Sequence, residues 1–251
     1  FKFYLMLLNM LQTFSRYEFK YLMFDENVRR IMADLNDFMT PDYYIKSASE
    51  TNYLVRSLYF DTNQFRNYYE KIDGIKMRHK YRLRTYSERP NSNVPVFLER
   101  KERNNNRVKK IRKQLTPRDA DRICLDSWDC FQFGQDDLKQ QFGVEVLKFR
   151  LRPKVVIQYI RTPYVSDHDG TFRVTFDQNL VGIASRHIWD EVTRTCRWTS
   201  LIPERTIMEV KFNRRIPAWF HRIIQAYGLD RVSISKYVLG VTRLNLARDL
   251  S

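Results

Sequence analysis

The sequence predicts an α+β domain: roughly eight antiparallel strands closed into a barrel with a basic interior, and helices packed outside. Three observations carry that expectation. Several segments alternate with period two, placing charged residues on one face and apolar or aromatic residues on the other. Amphipathic helical stretches lie between them and need an apolar surface to cover. The 251 residues hold 44 Lys plus Arg against 29 Asp plus Glu, a net charge of +15. Cations spread over sheet faces repel one another unless an anion sits among them. A sheet that curls with its charged face inward answers both needs, with a basic channel inside.

The first strand is expected at Ser15–Met23, where Arg16, Glu18 and Lys20 share one face and Tyr17, Phe19 and Tyr21 the other. Asp25 suits the N-cap of a helix running to about Met39, with Val28, Ile31, Met32, Leu35 and Phe38 at helical spacing and Pro41 as its stop. Tyr53–Phe60 reads as a strand, Asp61-Thr62-Asn63 as the start of a short helix, and Asp73-Gly74 as a turn. Ile75–Thr85 is the clearest strand. Lys76, Arg78, Lys80, Arg82 and Arg84 fall on one face, and Ile75, Met77, Tyr81 and Leu83 on the other.

Val94–Arg103 and Arg107–Gln114 read as a hairpin around Asn104-Asn105-Asn106. The first arm has Phe97, Glu99 and Lys101 on one face. In the second, Lys110 and Arg112 share a face and Lys109 and Lys113 the other, and either could point inward. Thr116 (N-cap) and Pro117 open a mostly helical region to Gly143. Strands follow at Lys154–Pro163 (Tyr159, Arg161), Thr171–Gln178 (Arg173, Thr175, Asp177) and Arg205–Phe212 (Ile207, Glu209, Lys211). Pro217–Tyr227 is a helix closed by Gly228, and Ser235-Lys236-Tyr237 lead into a last helix to about Asp249.

Composition narrows the function. At 43% hydrophobic and 14% aromatic residues, the chain is built to fold. Its charge calls for nucleic acid, anionic membrane or a phosphate-rich ligand. The cysteines, Cys124, Cys130 and Cys196, form no Cys-x-x-Cys, which argues against a disulfide framework or zinc site and for a reducing, cytoplasmic setting. His79, His168, His187 and His221 have no metal-ligand spacing. Residues 1–14 form an apolar extension too short to span a bilayer, and no other segment approaches transmembrane length, so the expected domain is 15–251.

A single charged strand face is usually just solvated, and Glu209-Val210-Lys211 alone could be a plain surface ion pair. Repetition over many strands favours an enclosed phosphate chain. Arg forks bind phosphate bidentately, Lys adds point charges, and an inward carboxylate such as Glu209 could hold a hard metal ion.

The segments in order carry a resemblance. They are Arg-Tyr-Glu-Phe-Lys-Tyr at 16–21, Leu-Tyr-Phe-Asp-Thr at 58–62, Lys-Tyr-Arg-Leu-Arg-Thr-Tyr at 80–86, and Val-Phe-Leu-Glu-Arg-Lys-Glu at 96–102. Val-Lys-Lys-Ile-Arg-Lys at 108–113, Val-Ile-Gln-Tyr-Ile-Arg-Thr-Pro-Tyr at 156–164, and Phe-Arg-Val-Thr-Phe-Asp at 172–177 continue the set. Met-Glu-Val-Lys-Phe at 208–212 and Ser-Lys-Tyr-Val-Leu-Gly-Val at 235–241 complete it. The chain resembles the VTC-type polyphosphate polymerase domain of the triphosphate tunnel metalloenzyme (CYTH) superfamily, as a stand-alone, bacterial-type member.

That resemblance implies a tunnel for triphosphate or polyphosphate. It implies that Lys20, Arg82, Arg84, Lys101, Arg161, Arg173 and Lys236 grip phosphates. Lys80, Lys110, Arg112, Lys211 and Ser235 would add substrate contacts. Glu209 would bind Mn2+ or Mg2+, with Glu99 and Asp177 as supporting or metal-side carboxylates. The implied reaction moves the γ-phosphate of ATP onto growing inorganic polyphosphate, with no side-chain nucleophile. Rival readings are a triphosphate-hydrolysing CYTH phosphatase and a noncatalytic polyphosphate-binding module. The hydrolases tend to carry Glu-x-Glu-x-Lys, and Arg16-Tyr17-Glu18-Phe19-Lys20 is one carboxylate short. A nucleic-acid platform is disfavoured, because it would expose aromatics among its cations.

Overall fold

A computed structural model describes residues 17–42, 51–90, 94–104, 107–125, 137–189 and 191–247. The apolar extension at 1–14, Arg16, the Asn105-Asn106 turn and Cys130 lie outside the described residues. The chain folds as α+β around one large antiparallel sheet. Its strands are β1 (Tyr17–Phe24), β2 (Met39–Pro41), β3 (Tyr53–Asp61), β4 (Met77–Thr85), β5 (Val96–Asn104), β6 (Arg107–Leu115), β7 (Arg152–Ser166), β8 (Arg173–Ala184), β9 (Thr199–Ser200) and β10 (Arg205–Phe212). The main path runs β1-β10-β8-β7-β3-β4-β5-β6, with β2 on β7 and β9 on β8.

The sheet curls, but the expected closed barrel is not what forms. Among the described residues no ladder joins the two ends, β1 and β6. A non-strand segment serves the free edge of β1 instead. The Val232 N–H donates to the Lys20 carbonyl at 2.8 Å, and Tyr21 bridges to Arg231. That contact satisfies backbone groups an open edge would leave unpaired. Across the gap, Lys101 on β5 donates to Glu18 on β1 at 3.1 Å.

Period-two alternation sets the two faces. On the outer face, Leu58, Phe60, Tyr81, Leu83, Leu98 and Val156 pack under α3 (Pro117–Cys124) and α4 (Asp137–Phe149). Tyr21, Met23, Val174, Phe176, Met208 and Val210 pack under α1 (Asp25–Leu35) and α6 (Ala218–Ala226). Thr116 caps α3 as expected, accepting from the Asp119 N–H at 3.1 Å.

The helices are not all outside. The last helix, α7 (Lys236–Arg243), lies on the inner face, where Tyr237 and Val241 pack against Val55, Tyr59, Val155, Ile157 and Ile207. Gly240 permits the approach. A Cβ there would stand 3.0 Å from Ile157 Cδ1 and 3.4 Å from Val155 Cγ2. The inner face is therefore part apolar seat and part charged channel.

Smaller differences have local causes. The helix α1 stops at Leu35, before Pro41, because Met39–Pro41 pairs with β7. Asp25 is the first helical residue rather than the cap, and its carboxylate accepts from Thr206 Oγ1 at 2.6 Å. Asp61 caps the turn into α2 (Arg66–Ile72), accepting from the Thr62, Asn67 and Tyr68 N–H groups, so the helix begins later than Asp61-Thr62-Asn63 implied. The remaining helix, α5, is Glu191–Thr195.

Candidate functional site

The register aligns the charged residues on the concave face. Arg82 lies opposite Glu99, Lys80 opposite Lys101, and Lys101 opposite Lys110. Lys20 lies opposite Glu209, Glu209 opposite Thr175, and Asp177 opposite Arg161. Lys110 and Arg112 share this inner face, which decides the choice left open for β6: Lys110 Nζ is 3.5 Å from Glu99.

Two carboxylates are held by arginines. Arg82 reaches Glu99 through Nε at 2.8 Å and Nη2 at 2.7 Å, and donates to the Tyr59 hydroxyl at 3.0 Å. Arg84 stands 3.8 Å from Glu99 and donates to Ser57 Oγ at 3.1 Å and to the Tyr159 hydroxyl at 3.3 Å. Arg161 forks onto Asp177 at 2.6 and 2.7 Å. The Arg161–Asp177 pair is bidentate, which fixes that guanidinium plane, while both Arg82 nitrogens converge on one oxygen, Glu99 Oε2.

Two other carboxylates sit among lysines. Lys236 Nζ lies 2.8 Å from Glu209 and 2.5 Å from Asp177. Lys20 stands between Glu18 at 3.4 Å and Glu209 at 3.6 Å. Lys211 is 3.4 Å and Arg161 3.2 Å from Glu209. Sequence reasoning did not assign Glu18 a role. Its signal was its alternation with Lys20 on one strand face. Ser57 and Tyr59, which orient the β4 arginines, carried no comparable signal.

Not every predicted residue joins the cluster. Arg173 lies at the rim, its side chain 39% exposed and 3.3 Å from Asp42. Ser235 is the N-cap of α7 but makes no side-chain capping bond. Lys80 rests over the Tyr237 ring and Arg112 over the Phe97 ring, at 4.8 and 4.7 Å from the centroids.

Burial and charge compete throughout. Burial pushes the Glu209 carboxyl up, but Lys236, Lys20, Lys211 and Arg161 together hold it well below the usual range. Glu18 follows the same pattern, burial being outweighed mainly by Lys101 and Lys20, and so does Glu99 beside Arg82 and Arg84. Some of the lysines are less well compensated. Burial, helped by Arg78 and Lys71 and opposed by Asp61, pulls Lys80 down to about 7. Burial brings Lys110 to about 8, with Glu99 opposing it and Arg84 and Arg82 adding to it. This face binds its own carboxylates yet still strains under like charge, so a polyanion would relieve it.

The VTC domain model matches residues 15–245. The chain belongs to the VTC domain family. This VTC domain also resembles solved structures in fold. A putative adenylate cyclase from Bacillus halodurans aligns at a TM-score of 0.55 and 11% identity, covering 90% of this chain and 96% of that one. A Mimivirus capping enzyme triphosphatase aligns at 0.33 and 11%, covering 89% and 96%. The first likeness supports the fold; the second is too low to carry an argument. No curated protein matches the sequence.

For a metal, this VTC domain offers two kinds of carboxylate. No group of three or more His, Cys, Asp or Glu gathers at one point among the described residues. The Asp177 oxygens are taken up by Arg161 and Lys236, and Glu99 is gripped by Arg82. Glu18 and Glu209 share one ammonium, Lys20, while Glu209 also accepts from Lys236 at 2.8 Å and Arg161 at 3.2 Å and Glu18 from Lys101 at 3.1 Å. A pair of carboxylate oxygens fits a hard divalent ion whose remaining ligands are substrate phosphates. No helix among the described residues is long and apolar enough to cross a membrane.

Proposed function

We propose that this VTC domain is a polyphosphate polymerase that transfers the γ-phosphate of ATP onto growing inorganic polyphosphate in the cytoplasm. The observation that carries the reading is the convergence of Arg82, Arg84, Arg161, Lys20, Lys101 and Lys236 on one concave face. Phosphates bound there would displace part of the internal ion pairing and take over its charge neutralisation. The terminal phosphate of the acceptor is itself the nucleophile, so no side chain needs to attack. Arg82, Arg84 and Arg161 orient the phosphates, and their backing by Glu99, Ser57 and Asp177 keeps the forks aimed. Lys80, Lys101, Lys110, Lys211 and Lys236 supply further positive charge, while Arg112, Arg173 and Ser235 lie at the margins. Mn2+ or Mg2+, held by Glu209 with Glu18, would supply charge neutralisation at the phosphate oxygens. Glu99 and Asp177 act through their arginines rather than as ligands.

Glu18 favours one alternative. A second inward carboxylate beside Glu209 suits a triphosphate hydrolase. One incubation with ATP and Mn2+, resolved on a polyphosphate-stained gel, separates the readings. Long chains with ADP support the polymerase. Orthophosphate alone supports hydrolysis. Tight polyphosphate binding without turnover supports a binding module.

A further inference from the structure

Three aromatic side chains border the arginine end of the concave face. Tyr53 lies opposite Arg161 across the β3–β7 ladder, and Phe97 opposite Arg84 across β4–β5. Tyr86 sits between them, with ring centroids 5.6 Å from Tyr53 and 6.3 Å from Phe97, both at 70°. The Arg112 guanidinium covers the Phe97 ring at 4.7 Å. All three rings are half-buried, whereas Tyr81, Tyr159 and Tyr237 are buried in the fold. Burial pushes the Tyr53 hydroxyl up to about 12, with Arg161, Tyr86, Tyr159 and Arg84 as its charged and ionisable neighbours. The arc is thus in the electrostatic reach of two guanidinium groups that face into the channel. The other end of β4 has a different character, where Arg78 pairs across from Arg103 and Lys71 stands near both.

We propose that the Tyr53–Tyr86–Phe97 arc receives the nucleobase of a nucleoside triphosphate whose phosphates extend from Arg84 and Arg161 into the channel. This rests on the triphosphate reading of the concave face. Half-exposed rings beside phosphate-binding guanidiniums suit a flat aromatic ligand carrying an anionic tail, and such stacking tolerates any base. The orientation follows. The γ-phosphate points toward Lys20, Lys101 and Lys236, and the acceptor chain occupies the Arg78–Arg103 end.

Calorimetric titration of ATP and of tripolyphosphate into the purified chain tests this without turnover. Phe97→Ala and Tyr86→Ala should each weaken ATP about tenfold while tripolyphosphate stays within about twofold of wild type, and Tyr86→Phe should restore ATP binding. Retained tripolyphosphate binding also reports that the variants fold. Arg84→Ala should weaken both ligands. Equal losses for both ligands in the aromatic variants, or no loss for either, overturn the base site alone. If wild-type protein binds neither ligand, the triphosphate reading falls, and the base site with it.

Discussion

The concave face holds its carboxylates in two different ways. Glu99 and Asp177 are locked by arginine forks at 2.6 to 2.8 Å. Glu18 and Glu209 are spanned by Lys20 at 3.4 and 3.6 Å and lie mainly among lysines, Lys101 on Glu18 and Lys236 on Glu209, with one Arg161 nitrogen 3.2 Å from Glu209. A planar fork defines an orientation, while a lysine is a point charge on a flexible stem. The first pair therefore behaves as scaffold and aims guanidiniums into the channel. In the second, Lys20 is the shared ammonium whose place between Glu18 and Glu209 another cation would take. The same residue type serves positioning on β5 and β8 and exchangeable ligation on β1 and β10, and the difference lies in what faces it.

The largest expected effect tests the lysine-held pair. Glu209→Gln should lower ATP-dependent polymer formation by roughly 10²- to 10³-fold, with protein that still melts cooperatively. Full activity in that variant would remove Glu209 from the proposed metal role. Glu18→Gln should act more weakly, raising the Mn2+ concentration for half-maximal activity about tenfold. If Mn2+ dependence is unchanged, Glu18 only balances Lys101 and Lys20. The arginine-held pair should answer in stability. Glu99→Ala strands Arg82 beside a buried site at a cost of about 3–5 kcal/mol, which is a fall in melting temperature of roughly 10 °C. A Glu99→Ala protein with unchanged melting but a shifted Mn2+ requirement would erase the distinction between the pairs.

Much of this face was legible in the sequence, for a physical reason. Each strand buries its apolar face under helices, so one residue of slip would put Arg82 and Arg84 into the core and Tyr81 and Leu83 into the channel. Alternation alone therefore places the cations of β4 correctly. It could not place those of β6, where both faces carry lysine and only the contact with Glu99 selects Lys110. The inward docking of α7 was hidden for a related reason. Helical spacing marks Tyr237 and Val241 as one apolar stripe, but not which side of the sheet receives it. Gly240 was the one local hint of close approach. Sheet closure was least legible, because it turns on how residues 231–234 meet the β1 edge, a contact without periodicity.

The smallest effect concerns protons. Burial pulls Lys80 down to about 7 and Lys110 to about 8 in the free protein, both below the unfolded lysine value of about 10.4. Between those limits the unfolded chain binds more protons than the folded one, so these two residues make stability rise with pH from about 7 toward about 10. Ligand binding runs the other way. A polyphosphate favours the charged ammonium, so binding takes up a proton above pH 7 and the lysine contribution to affinity falls as pH rises. Tripolyphosphate itself gains charge over the same range, and the informative quantity is wild type compared with Lys80→Met. The ratio of their affinities should shrink by a few-fold between pH 6 and pH 9, measured by calorimetry in buffers of different ionisation enthalpy. A ratio constant across that range would mean that Lys80 stays charged in the free channel. The contrast would then lie only between arginine-held and lysine-held carboxylates, with no role for under-neutralised lysines.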